Sequence, residues 1–139
     1  MSKIPFDLTT WNRKEPFHHY LNTVSCRYGM TVNLDITLLR AALKQRNYKL
    51  YPAVIHLLSR CVNQHKEFRM TLDQDDQLYY FDLLNPSYTI FHTDDETFSS
   101  TWTQYDPSFP AFYQNYLDDM QQYGNNHGML ARSPREDCF

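Results

Sequence analysis

The sequence predicts an α/β chain, a two-layer sandwich in which helices cover one face of a mixed sheet. Two observations carry this. Short stretches with period-two alternation occur on both sides of stretches whose apolar residues recur at three and four, and polar clusters divide the extended stretches into pairs. The sheet is expected to be incomplete, with an open edge of the kind that recruits another chain.

The elements follow in order. Residues 6–11 alternate as a short strand, and residues 13–21 carry Phe17, Tyr20 and Leu21 at helical spacing, with Pro16 tolerated only in the first turn. Across residues 26–34, Tyr28, Met30, Val32 and Leu34 fall on one face by period two, which predicts a second strand. Asp35 is the expected N-cap of a helix over 36–45. Pro52 suits the first position of the next helix, where Val54, Ile55, Leu57, Leu58, Cys61 and Val62 form a broad apolar stripe; this helix is expected to be buried deepest.

Residues 68–72 and 78–81 flank the polar Asp73-Gln-Asp-Asp-Gln77, which predicts a hairpin with a five-residue loop. Residues 88–92 and 97–102 supply two further strands around an acidic turn. Phe109, Phe112, Tyr113, Tyr116, Leu117, Met120 and Tyr123 then repeat at three and four residues along a long amphipathic helix that Gly124 ends. Residues 125–139 show no periodicity and are expected to form an irregular, frayed tail.

Composition narrows the function classes. A chain of 139 residues, 42% hydrophobic and 16% aromatic, is long enough for one domain with a core. Its net charge of −3 gives no clustered basic footprint, so neither nucleic acid nor an anionic membrane is an expected partner. Cys26, Cys61 and Cys138 are odd in number, widely spaced and without a Cys-x-x-Cys pair. Reduced thiols in a cytoplasm fit this set, and neither a disulfide framework nor a metal is expected. The N-terminus has no apolar signal segment, and three glycines leave no phosphate-cradling loop.

Six histidines invite catalytic readings. His18 and His19 lie about 100° apart on a helix and do not converge on one ion. His56 sits between Ile55 and Leu57 as a hydrogen-bonded core residue would. His92 precedes Thr93-Asp-Asp-Glu96, so a histidine–carboxylate pair is conceivable there, although no serine or cysteine is placed by spacing to complete it. The acidic run reads most simply as a solvated turn, and His65 and His127 lie in polar stretches without a signal. The surplus of eleven tyrosines and nine phenylalanines suits either a core with a subunit interface or an aromatic-walled pocket for a flat ligand.

Several separate blocks resemble one family. Trp11-x-Arg13-Lys-Glu-x-Phe17-x-x-Tyr20, Cys26, Leu34-Asp-Ile-Thr37, Tyr51-Pro52, Asn63-x-x-x-Glu67-Phe-Arg-Met70 and Phe91-His92 leading to Glu96-Thr-Phe-Ser99 are similar, in order and spacing, to the chloramphenicol acetyltransferases, from near the start to about Tyr123. The resemblance implies a CoA-dependent acyltransferase-like fold and transfer of acetyl from acetyl-CoA, as co-substrate, to the 3-hydroxyl of chloramphenicol. It implies a homo-oligomer, a trimer with each active site between two subunits. By position it assigns His19, Tyr20, Cys26, Tyr28, Phe98 and Ser100 to the drug pocket, with His19 and Tyr28 where other members have phenylalanine. Arg13 matches an arginine that supports the catalytic histidine loop.

That loop's His-His-x-x-x-Asp-Gly motif does not occur in this sequence, and there is no Asp-Gly pair for Arg13 to serve. No catalytic residue is therefore assigned. The expected organisation is the N-terminal part of a single acyltransferase domain over 1–124, with the tail over 125–139. The expected function is that of a chloramphenicol O-acetyltransferase, truncated and impaired. The alternative is a non-catalytic module that binds drug or a homologous subunit.

Overall fold

The computed structural model describes residues 2–139. Strand β1 (Lys3–Pro5) is followed by helices α1 (Lys14–Asn22), α2 (Thr37–Gln45) and α3 (Leu50–Gln64), a 3₁₀ turn (Lys66–Arg69), strands β2 (Met70–Leu72), β3 (Leu78–Phe81), β4 (Ser87–His92) and β5 (Thr97–Trp102), and helix α4 (Phe109–Tyr123). The α/β class holds. Its sheet comes in two antiparallel pieces, β1-β3-β2 and the hairpin β4-β5, and the parallel component enters as isolated bridges from the tail.

Both hairpins form where turn chemistry demands. Asp73 ends β2 by accepting the N–H groups of Asp75 and Gln77, each at 2.9 Å, and Thr71 then pairs with Tyr79. In the second hairpin, Asp95 accepts the Thr97 N–H at 3.1 Å and the Thr97 hydroxyl at 2.7 Å. This closes the acidic turn and sets Ile90 opposite Ser99 and Tyr88 opposite Thr101.

The first strand lies upstream of its expected place at 6–11. Phe6 still donates its N–H to the Leu78 carbonyl at 2.9 Å. At Asp7 the carboxylate accepts the Thr9 N–H at 2.8 Å, and that local turn ends the extended run.

The strand expected over 26–34 does not form. The segment between α1 and α2 has no ladder partner among the described residues, and Tyr28, Met30, Val32 and Leu34 are 91%, 80%, 66% and 78% exposed. Alternation makes a chain fit for a sheet, but a strand exists only when a neighbour takes its N–H and C=O groups. The helix after it starts one residue later than expected, at Thr37 with Ile36 in the N-cap position, and Asp35 accepts the Thr37 N–H at 2.9 Å from just ahead of it.

Helix α3 is buried on one side alone. Pro52, Ala53, Ile55, His56 and Ser59 face inward. On the opposite face, at 100° per residue, Leu57 and Leu58 remain 43% and 57% exposed and Cys61 is also exposed. As expected, α3 has the most buried residues of the described helices, five against three in α4, and α4 packs on it through Phe112, which has no exposed surface and lies with Ile55, Tyr88 and Tyr116 between α3 and β4. His56 is the core histidine expected, buried with its Nε2 3.0 Å from the Asp106 carbonyl.

Residues 125–139 contain no helix or strand, yet they are not frayed. Met129 accepts the Ser100 N–H and Ala131 donates to the Ser100 carbonyl, both at 2.9 Å, so the tail runs beside β5. Further on, Asn85 donates to the Asp137 carbonyl at 2.8 Å and Phe139 to the Asn85 carbonyl at 3.1 Å. Between these anchors the Arg132 guanidinium lies 3.4 Å over the Trp102 ring and 2.8 Å from the Asp119 carboxylate.

Candidate functional site

The residues assigned to a drug pocket fall on two separate surfaces. His19 and Tyr20 are exposed on α1, with ring centroids 5.3 Å apart. Cys26 and Tyr28 follow on the exposed segment between α1 and α2. Phe98 and Ser100 stand on the outer face of β5, away from the helices, where Phe98 pairs with Phe91 and Ser100 with Thr89. No hydrogen bond, ion pair or ring contact joins the two groups among the described residues. Arg13 begins α1 and forms no ion pair among the described residues.

A shallow cavity of about 420 Å³ opens along β4, lined by Tyr51, Thr89, Ile90, Phe91, Tyr116 and Met120. The Tyr51 hydroxyl donates to the Thr89 carbonyl at 3.0 Å on its wall. This is the aromatic-walled, partly polar kind of recess that flat apolar ligands use. A larger cavity of about 650 Å³ lies against the three-stranded sheet, lined by Lys3, Asp73, Gln74 and Glu136 among others, and contains none of the assigned residues.

A second constellation forms at the far end of the β4-β5 hairpin. The buried His92 places Nε2 2.9 Å from the buried Ser99 hydroxyl. The His127 ring stacks on His92 at 4.1 Å. His127 Nδ1 lies 2.8 Å from Asp95 Oδ2, and its Nε2 lies 3.6 Å from Asp94 Oδ2. Hydrogen bonds from the Thr97 hydroxyl first, and from His127 next, hold the Asp95 carboxyl well below its usual range, at about 2.

Sequence spacing missed this cluster for two reasons. Ser99 reaches His92 diagonally across the hairpin, which needs the strand register, and His127 arrives from the tail, 32 positions beyond Asp95. The Ser99 hydroxyl has no solvent access, so its pairing with His92 orients the ring and does not expose a nucleophile. Among the described residues no helix is long and apolar enough to cross a membrane.

The family model described as chloramphenicol acetyltransferase matches residues 1–139. A relative of that name from Clostridium perfringens is 53% identical over 119 residues, covering 86% of this chain and 54% of its own length. Another from Clostridium butyricum is 52% identical over 131 residues, covering 94% of this chain and 60% of its own length. A solved structure titled chloramphenicol acetyltransferase superposes with a TM-score of 0.83 at 20% identity, over 91% of this chain and 59% of that one, which establishes the shared fold. The chain thus spans a little over half the length of these relatives, and by sequence and fold it belongs to the chloramphenicol acetyltransferase family.

Proposed function

We propose that this chain serves the O-acetylation of chloramphenicol at its 3-hydroxyl by acetyl-CoA, and that it supplies the drug-facing surface of a cytoplasmic trimer. The observation that carries the reading is the family match over all 139 residues. The exposure of Tyr20, Tyr28 and Phe98 supports it, because large uncovered apolar side chains on two faces suit a surface that a second subunit closes. In this reading His19, Tyr20, Cys26 and Tyr28 of one subunit and Phe98 and Ser100 of another wall the drug, and Arg13 supports the site. Residues 1–124 are the N-terminal part of one acyltransferase domain, and residues 125–139 are its tail.

The chemistry limits what the 139 residues do by themselves. Attack of the drug hydroxyl on a thioester needs a base for its proton and donors for the oxyanion. A missing base costs about 10²–10⁴ in rate and a missing oxyanion donor about 10²–10³. The sequence holds neither the His-His-x-x-x-Asp-Gly histidine nor its Asp-Gly partner.

The test follows acetyl transfer by thiol release from acetyl-CoA, with the purified chain alone and with a full-length family member as control. The chain alone is expected to bind chloramphenicol and to turn it over at least about 10⁴-fold more slowly than the control. Turnover within a hundredfold of the control would overturn this account, and calorimetry without heat at millimolar drug would remove the binding surface.

A further inference from the structure

We propose that His92, His127 and Asp94 form a binding site for a zinc-class divalent cation, with Asp95 as the carboxylate that orients His127. One ligand atom from each of the three residues lies within 4.8 Å of the others. One pair already has the right spacing: His127 Nε2 and Asp94 Oδ2 are 3.6 Å apart. Two ligands each about 2.1 Å from a tetrahedral ion stand about 3.4 Å from one another.

The groups behind the ligands hold them from outside, and the exposed His127 ring tilts out of its stack on His92 for both lone pairs to meet one ion. Asp95 Oδ2 lies 2.8 Å from His127 Nδ1 and takes its N–H, which leaves the lone pair of Nε2 directed toward Asp94. Asp95 is itself fixed by the N–H and hydroxyl of Thr97. Ser99 engages Nε2 of His92, so Nδ1 is the His92 nitrogen left for an ion. His92 is buried while Asp94 and His127 are exposed, which gives a buried floor and a rim open to solvent through which an ion enters.

Imidazole with a single carboxylate selects zinc and its neighbours over magnesium and calcium, which prefer oxygen ligands throughout. Three protein ligands leave the fourth tetrahedral position to water or a small anion. Binding would also pin the tail to the turn between β4 and β5, because His127 and Asp94 come from those two segments.

Zinc titrated into the full chain in a calorimeter tests this without drug or acetyl-CoA. One equivalent is expected to bind, at least tenfold more weakly in His127→Ala and in Asp94→Asn and about tenfold more weakly in Asp95→Asn. These substitutions lie at exposed positions, so the fold survives them. The Cys61→Ser and His18→Ala variants, which remove ligand groups elsewhere, should bind as the parent does. Absence of binding at millimolar zinc, or equal affinity in His127→Ala and the parent, would overturn the site.

Discussion

The side-chain amide of Asn63 holds the backbone of Leu84 at both ends. Its Nδ2 donates to the Leu84 carbonyl and its Oδ1 accepts the Leu84 N–H, each at 2.8 Å. A third bond from Nδ2 to the Ser59 carbonyl, at 3.0 Å, ties this grip to α3. The loop entering β4 is thus registered on α3 by one residue.

Asn63→Ala should lower unfolding stability by about 2 kcal/mol, because it leaves two backbone groups in a part-buried site without partners. Urea unfolding should show the midpoint falling with the slope unchanged. A change under about 0.5 kcal/mol would mean that water replaces the amide.

The one-sided burial of α3 sets two neighbouring helices apart. Phe112→Ala removes a ring without exposed surface and should cost about 3–5 kcal/mol. Leu58→Ala, on the uncovered face, should stay within about 0.5 kcal/mol in the isolated chain. If Leu58→Ala costs several kcal/mol, that face is covered in solution, and the oligomeric state would show by what.

Arg132 fastens the tail through the Trp102 ring and Asp119, whose carboxyl burial pushes above the usual carboxylate range against the pull of the arginine. Arg132→Ala leaves a half-buried carboxylate unpaired and should cost about 2 kcal/mol. Hydrogen exchange should speed up at the Ala131 and Phe139 amides. Arg132→Lys should restore little, since an ammonium lacks the planar stack.

The cysteines should differ in reactivity. Burial, followed by the neighbouring Asp137 charge, pushes the Cys138 thiol up to about 11, whereas Cys26 and Cys61 are exposed. At pH 8 a thiol reagent should modify Cys26 and Cys61 quickly and Cys138 slowly, as read by mass shift over time. A raised folded value means that the folded state holds this proton more tightly. The stability it contributes is therefore present below about 8.5 and is lost as pH rises through about 11. Equal rates at all three thiols would place Cys138 in solvent.

The drug-facing assignment separates binding from folding. Tyr28 is 91% exposed, so Tyr28→Ala should leave stability within about 0.5 kcal/mol. It should weaken chloramphenicol binding about tenfold, near the ~1.4 kcal/mol scale of one lost aromatic contact. Unchanged affinity by calorimetry would take Tyr28 out of the pocket.

The sequence by itself determined the elements whose signals are local. Three-and-four spacing along α4, Asp35 ahead of α2 and the polar turns at 73–77 and 93–96 each act within a few residues, so their energies need no distant partner. The family blocks and the absence of an Asp-Gly pair were readable for the same reason. Tertiary structure alone decided the rest. Tyr28 to Leu34 alternate like a strand and find no ladder, α3 is apolar on two faces and buried on one, and the tail is held by Ser100, Asn85 and Trp102 from 29 or more positions away. His127 meets His92 by that same route, because a side chain far along the chain becomes a neighbour only when the backbone between them has folded.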